Sequence, residues 1–192
     1  MRSHGARIRV TAQLNRVEDG YHLWSAPREV LPKAEAAIER ALALDGSLAE
    51  AHASKANVLT ALGNRDPVAT KIEYRRALNL NAGYASVHQW YSRFLASQHR
   101  LEESLPEAQL AEELDPVSPI IRHARGLTLD AMGRHEQAMA AWRRAIELDP
   151  GFPPSLEFLA RAYLSRWRLR SSRRHLGEGH SLGGAAPPRR SG

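Results

Sequence analysis

One unit of this chain ends twice in the same words. Glu113-Leu114-Asp115-Pro116 returns 34 residues later as Glu147-Leu148-Asp149-Pro150. Earlier, Leu80-Asn81 stands one 34-residue step before Leu114-Asp115, and Leu44-Asp45 a further 36 residues back, which implies two inserted residues near Asn64-Arg65-Asp66-Pro67. A period of about 34 is the length of a unit made of two helices and a turn, and such units stack into a superhelix. Other positions keep the step. Leu95 answers to Leu129, Ala111 to Ala145, and Ala108 to Trp142. Ala56, Ser92, Gly126 and Ala160 put a small residue at one place in four successive first helices, and Ala34, Thr70, Ser104 and Ala138 do so in the second helices. Small residues are needed where two helices cross closely. Neither helix of a unit can bury its apolar face alone, so stacking makes the core.

These marks, from Pro32 to Trp167, resemble the tetratricopeptide repeat. The resemblance implies an all-α superhelical stack and a concave inner face, lined by one side of each first helix, on which partners lie. It says little about which partner.

The pattern predicts a lone second helix over 28–44, with Ala34, Ala37, Ile38, Ala41 and Leu42 on one face. Pairs follow at 48–63 with 67–80, 84–98 with 100–114, and 118–132 with 134–148. Asp66-Pro67 and Ser118-Pro119 each set a capping residue before a proline at the first helical position. Gly63 and Gly133 suit helix ends. A last helix over 153–168 carries Leu156, Leu159, Ala160, Tyr163 and Leu164. Lys55 and Arg125 stand where the repeat favours leucine. A buried lone charge is costly, so each must reach water or find a partner, and a looser stack is expected there.

Both ends of the chain differ from the middle. Arg7 to Leu14 alternates apolar and polar residues as a half-buried strand does, and Asp19-Gly20 makes a turn before Tyr21-His22-Leu23-Trp24. Residues 1–27 are therefore expected to form a small β-hairpin. Arg9-Val10-Thr11-Ala12-Gln13-Leu14 with Gly20-Tyr21-His22-Leu23-Trp24 resembles the end of the TolB-type domain that precedes tetratricopeptide repeats in bacterial adenylate/guanylate cyclases and winged-helix regulators. Tyr84-Ala85 and His88-Gln89-Trp90-Tyr91 resemble the second repeat of such proteins. The resemblance implies a shortened signalling protein without its output domain. At the other end, eight of the 27 basic residues and only one of the 21 acids lie from Arg161 onward, which leaves 19 against 20 before it. The basicity implied by a net charge of +6 belongs to the tail, not to the repeats. Residues 169–192 are rich in Arg, Gly, Ser and Pro, and such a composition is expected to be disordered.

Chemistry is scarce. His135-Glu136 begins like a zinc-protease motif, but Met139 takes the place of its second histidine. The other histidines show no paired spacing that points to a ligand set. Gly183-Gly184 has no strand before it or helix after it, so it is no phosphate loop. With no cysteine, disulfide and thiolate chemistry are excluded. No apolar run is long enough to span a membrane and no leader is visible, so a cytoplasmic protein without cofactor or metal is expected.

The register puts Ala53 and Asn57, Gln89 and Arg93, His123 and Leu127, and Glu157 and Arg161 on the inner face. The candidate binding residues are Asn57, Gln89, Arg93, His123, Leu127, Glu157 and Arg161. Repeat proteins that clasp a peptide carboxylate carry lysine at the first place of such pairs. Ala53, Gln89 and His123 occupy it here, so a chaperone-tail clamp is not expected. The reading is a non-catalytic scaffold or sensor, of repeats over 28–168, that binds another protein or an extended peptide. The alternatives are nucleic-acid association through the arginine tail and an adapter to a separately encoded cyclase or winged-helix regulator. Plain solvent-facing helix residues and a plain solvated tail are the simpler accounts of both features.

Overall fold

The computed structural model describes residues 30–61 and 66–181, with side chains at 31–61 and 66–168. The hairpin expected over 1–27, Gly63, and the last residues of the tail lie outside the described residues. Every regular element within them is an α-helix. These are α1 (Val30–Leu44), α2 (Ala49–Ala61), α3 (Pro67–Leu80), α4 (Ala85–Ser97), α5 (Leu101–Leu114), α6 (Pro119–Ala131), α7 (His135–Leu148) and α8 (Pro153–Ser181). α2 packs with α3, α4 with α5 and α6 with α7, and each pair leans on the next. No described helix is long and apolar enough to cross a membrane.

The repeated Leu-Asp ending has a mechanical cause. The backbone N–H of Asp45, Asn81, Asp115 and Asp149 each donates to the carbonyl four residues back, at 2.9–3.0 Å, and closes its helix. Their side chains then accept from the N–H two residues on: Ser47, Gly83, Val117 and Gly151, at 2.9–3.3 Å. This Asx turn replaces helix bonding with a local side-chain bond, and so sets the exit angle towards the next first helix. The turn inside each pair is different. Arg134 N–H reaches Leu129 O and Gly133 N–H reaches Asp130 O, both at 2.9 Å, with Gly133 at φ +74°. That double bond pattern is a Schellman close, which needs a left-handed residue. His99 fills the same place one repeat earlier at φ +58°.

In the middle pair the small residues meet as expected, whereas Ala160 on α8 is exposed. Ser92 Oγ lies 3.0 Å from Ser104 Oγ, which donates to Ser92 O at 2.8 Å and touches Thr128 Oγ1 at 3.2 Å. A Cβ on Gly126 would come within 2.3 Å of Trp142 Nε1, so the indole occupies the space a side chain would need. Large meets small in the first and third pairs. The bulky Trp142 faces Gly126, Tyr74 shares its buried cluster with Ala56, and Ala108 stands in the repeat that keeps Ser92. Tyr74, Tyr91 and Phe94 build the central core, with ring centroids 5.4–6.3 Å apart.

Two expectations need correction. Ser118 precedes α6 but makes no side-chain cap bond, whereas Asp66 accepts from Ala69 N–H at 2.9 Å. The last helix does not stop at 168; it runs on to Ser181. Composition argued that residues beyond 168 bury too little to fold, but arginine and leucine are strong helix formers. The helical backbone therefore continues past the stack.

Candidate functional site

Lys55 and Arg125 do find partners, and the partners reveal a feature that the sequence reading passed over. In the first pair, His52 Nδ1 lies 2.6 Å from Glu73 Oε2, its Nε2 lies 3.0 Å from Gly46 O, and Lys55 Nζ reaches Glu73 Oε1 at 2.9 Å. In the second, His88 Nδ1 lies 2.6 Å from Glu107 Oε2 and its Nε2 3.0 Å from Ala82 O. In the third, arginine replaces histidine: Arg122 donates to Pro116 O at 3.0 Å and, with Arg125, to Glu112 at 2.5 and 2.9 Å. One side chain per first helix thus ties the preceding turn to a carboxylate on a second helix. The signal was present, because His52 and His88 sit 36 residues apart and Glu73 and Glu107 sit 34 apart.

Electrostatics follow from these contacts. Burial pushes the Glu73 carboxyl up, but the hydrogen bonds and charges of Lys55 and His52 outweigh it, so its pKa ends below the usual value. For His88, burial pulls the pKa down, and the Glu107 carboxylate with the Ala82 carbonyl carries it above the ordinary histidine value.

The seven inner-face residues are spread along the stack and are not equally open. Glu157 and Arg161 are exposed, while Asn57, Arg93 and Leu127 are half-buried. Gln89 and His123 are only 3% and 6% exposed, so they lie beneath the surface instead of on it. The reason is visible at His123. The next first helix covers it, with Ser155 Oγ 3.1 Å from Nδ1 and the Phe152 and Phe158 rings edge-on at 5.7 and 5.3 Å. Gln89 Nε2 is buried and has no hydrogen-bond partner among the described residues.

Arg93 and His123 are brought within electrostatic reach of one another. Burial and then the Arg93 charge depress the His123 pKa from 6.5 to about 4, so the ring is neutral at physiological pH. Burial also lowers the Arg93 pKa, with Tyr74 pulling the other way. At the far end the charges cancel. Arg161 donates to Glu157 at 2.6 Å and its guanidinium lies 5.2 Å over the Phe158 ring. Beside them, Asp130, His135, Met139, Trp142, Phe158 and Arg161 line part of a cavity of about 450 Å³. Among the described residues no three metal-ligating side chains gather. His135, in particular, bonds Asp130 at 2.7 Å.

The pair α6–α7 carries the decisive match: residues 119–152 fit the tetratricopeptide repeat family. This is a tetratricopeptide-repeat fold. Solved structures agree in shape. A Pseudomonas aeruginosa PilF structure is 24% identical, with 95% of this chain and 80% of that one aligned at a TM-score of 0.68. A thermophilic tetratricopeptide-repeat protein of Thermus thermophilus is 19% identical over 71% of this chain and 74% of that one, at 0.65. The first repeat domain of Spaghetti (RPAP3), solved with the HSP90 peptide SRMEEVD, is 15% identical over 61% and 91%, at 0.56. No curated protein matches the sequence. At these identities the shared property is the tetratricopeptide-repeat stack itself.

Proposed function

We propose that this chain is a non-catalytic interaction scaffold that clasps an extended, acidic peptide segment along the inner face of its first helices, with Arg93 as the principal anchor. The observation that carries the reading is Gln89. Its Nε2 is buried with no acceptor among the described residues, one helical turn before Arg93 and on the same side of α4. Buried donors are normally satisfied, and an unsatisfied one asks for a missing acceptor. A carboxylate or carbonyl brought to Arg93 supplies that chemistry once Gln89, 3% exposed in the free chain, swings its amide out towards the groove. The neutral His123 adds no competing charge, and the half-buried guanidinium can grip a carboxylate through two parallel bonds.

Asn57 and Leu127 extend the surface with neutral polar and apolar contacts, and the exposed Arg161 ends it. A surface ion pair contributes about 0–1 kcal/mol, so Glu157 is readily exchanged for a partner carboxylate. The resemblance over residues 9–24 supports the finer reading, in which this scaffold serves a bacterial signalling or transcriptional regulator in the cytoplasm and adapts a separately encoded output domain.

The test compares binding of peptides selected from an acidic display library. Arg93→Ala is expected to weaken binding by about 1–3 kcal/mol, the range for hydrogen bonds to charged groups. Arg75→Ala and Arg76→Ala, both exposed on the second helix α3, are expected to change little. Calorimetry on proteins of matched thermal stability reads the difference. If Arg93→Ala binds as well as the parent and the α3 variants do not bind, the outer face is the site. The peptide SRMEEVD is expected to bind no better than its scrambled form, because the clamp lysines are replaced by Ala53, Gln89 and His123.

A further inference from the structure

α8 shows a line of large apolar side chains to solvent. Leu156 is 45% exposed, Tyr163 47%, Leu164 59% and Trp167 66%. Together with the exposed Ala160 they follow one another at steps of 4, 3, 1 and 3 residues, which puts all five on one side of the helix. Another side of α8 does the packing: Phe158, Leu159 and Ala162 lie against the cluster that holds Leu129, Met139 and Trp142. The helix therefore carries two apolar sides, one towards the core and one towards water. Single exposed apolar residues are ordinary at a surface, whereas a continuous run of them marks an interaction site.

Cations crowd the same helix. From Arg161 to Ser181 there are six arginines and one acid, Glu178. Arg166 and Arg168 stand one residue either side of Trp167 and so flank the stripe. Arg143 reaches across from α7, donating to the Tyr163 hydroxyl at 2.8 Å, with its guanidinium 5.7 Å from the ring centroid. Glu157 and Glu136 offset Arg161 and Arg166. The Glu136 bond sets Arg166 beside the first turn of α7, and the α8 backbone continues from there to Ser181. Arg170, Arg173 and Arg174 belong to that extension.

We propose that this side of α8 docks on the surface of an anionic lipid bilayer, lying in the headgroup layer with Leu164 and Trp167 turned towards the acyl chains. Stripe and flanks together choose this occupant. Aliphatic side chains in line with tyrosine and tryptophan suit the boundary between headgroups and acyl chains, where amphipathic rings settle. Arginine stems lie along apolar surface while their heads stay with the lipid phosphates. A nucleic-acid duplex would meet the arginines but leave Leu156 and Leu164 in water. Pairing with α8 of a second copy would set one arginine-rich helix against another, a like-charge contact. Gln89 and Arg93 take no part, so the bilayer contact and the peptide groove can fail separately.

Co-sedimentation of the full chain with lipid vesicles tests this. The parent is expected to pellet with vesicles of phosphatidylglycerol and phosphatidylcholine in equal parts, and to stay in solution with phosphatidylcholine alone. Leu164→Asp and Trp167→Asp are each expected to weaken vesicle binding roughly tenfold, the loss of one large buried side chain. Both positions are exposed, so circular dichroism and thermal midpoint are expected to match the parent's; should one variant unfold, the other carries the test. Trp167→Leu keeps the apolar surface, so it is expected to bind nearly as well while losing most of the quenching of tryptophan fluorescence by bromine-labelled acyl chains. A parent that stays in solution with both kinds of vesicle overturns the proposal, whether or not it binds duplex DNA or self-associates. Equal binding by the parent and both aspartate variants also overturns it, since charge alone then holds the chain. So does undiminished quenching in Trp167→Leu, which would place another part of the molecule in the bilayer.

Discussion

Gly126 shows how far a single residue can reverse a general rule. In a helix interior, glycine to alanine is ordinarily stabilising by about 1 kcal/mol. Here the new methyl would meet the Trp142 indole at 2.3–2.9 Å. That ring also donates from Nε1 to His123 O and is 1% exposed, so it has nowhere to go. Gly126→Ala is therefore expected to destabilise by about 1–3 kcal/mol, the cost of overpacking a filled core. Chemical denaturation reads the sign directly. His99 is the opposite case. Its φ of +58° puts a side chain in the left-handed region that Gly133 occupies one repeat later. His99→Gly is expected to raise stability by roughly 1 kcal/mol, by relieving that strain.

Among the elements, the second helices and turns divide the work of holding the stack. The four Asx turns are local, so replacing Asp149 by Ala should cost about 0.5–1.5 kcal/mol and leave the neighbouring repeats intact. The histidine and arginine ties are long-range, and they make stability depend on pH. His88 has a raised folded pKa, so its contribution is present in full below the unfolded histidine value and fades as pH rises through the folded one. Glu73 has a lowered pKa, so its contribution holds above the ordinary carboxyl value of 4.5 and fades as pH falls through the folded one. His123 works against folding in acid. Below pH 6.5 the unfolded chain takes a proton that the folded chain refuses until about pH 4. That amounts to on the order of 3 kcal/mol at the acid limit. His123→Gln is expected to flatten the loss of stability between pH 6.5 and 4, and Glu107→Gln to cost more at pH 5 than at pH 9. Thermal midpoints across that range check both.

For the whole molecule, the near-neutral repeats and the basic end are separable. If the arginines after Arg161 hold nucleic acid, affinity for a duplex falls steeply with salt, and a chain ending at Trp167 loses most of it. Equal binding by the full and shortened chains removes that alternative and leaves the groove. Much of this organisation was readable beforehand. The 34-residue step located the three pairs to within a residue or two, because the Leu-Asp ending is a purely local device whose bonds span two to four residues. The crossing places were readable too, since only small residues fit there. Local signals do not say how far the next helix folds over. That coverage put Gln89 and His123 under the surface when register alone made them inner-face residues. It also set Arg93 beside a neutral ring, and gave Lys55 and Arg125 carboxylates from other helices. The end of α8 escaped for a related reason: composition reports how much a segment can bury, whereas a helix of arginine and leucine needs no burial to continue its backbone bonds. Period and punctuation determine the stack. Which charges meet, and which donors are left without acceptors, is decided only when neighbouring repeats close on one another and remove water from between them.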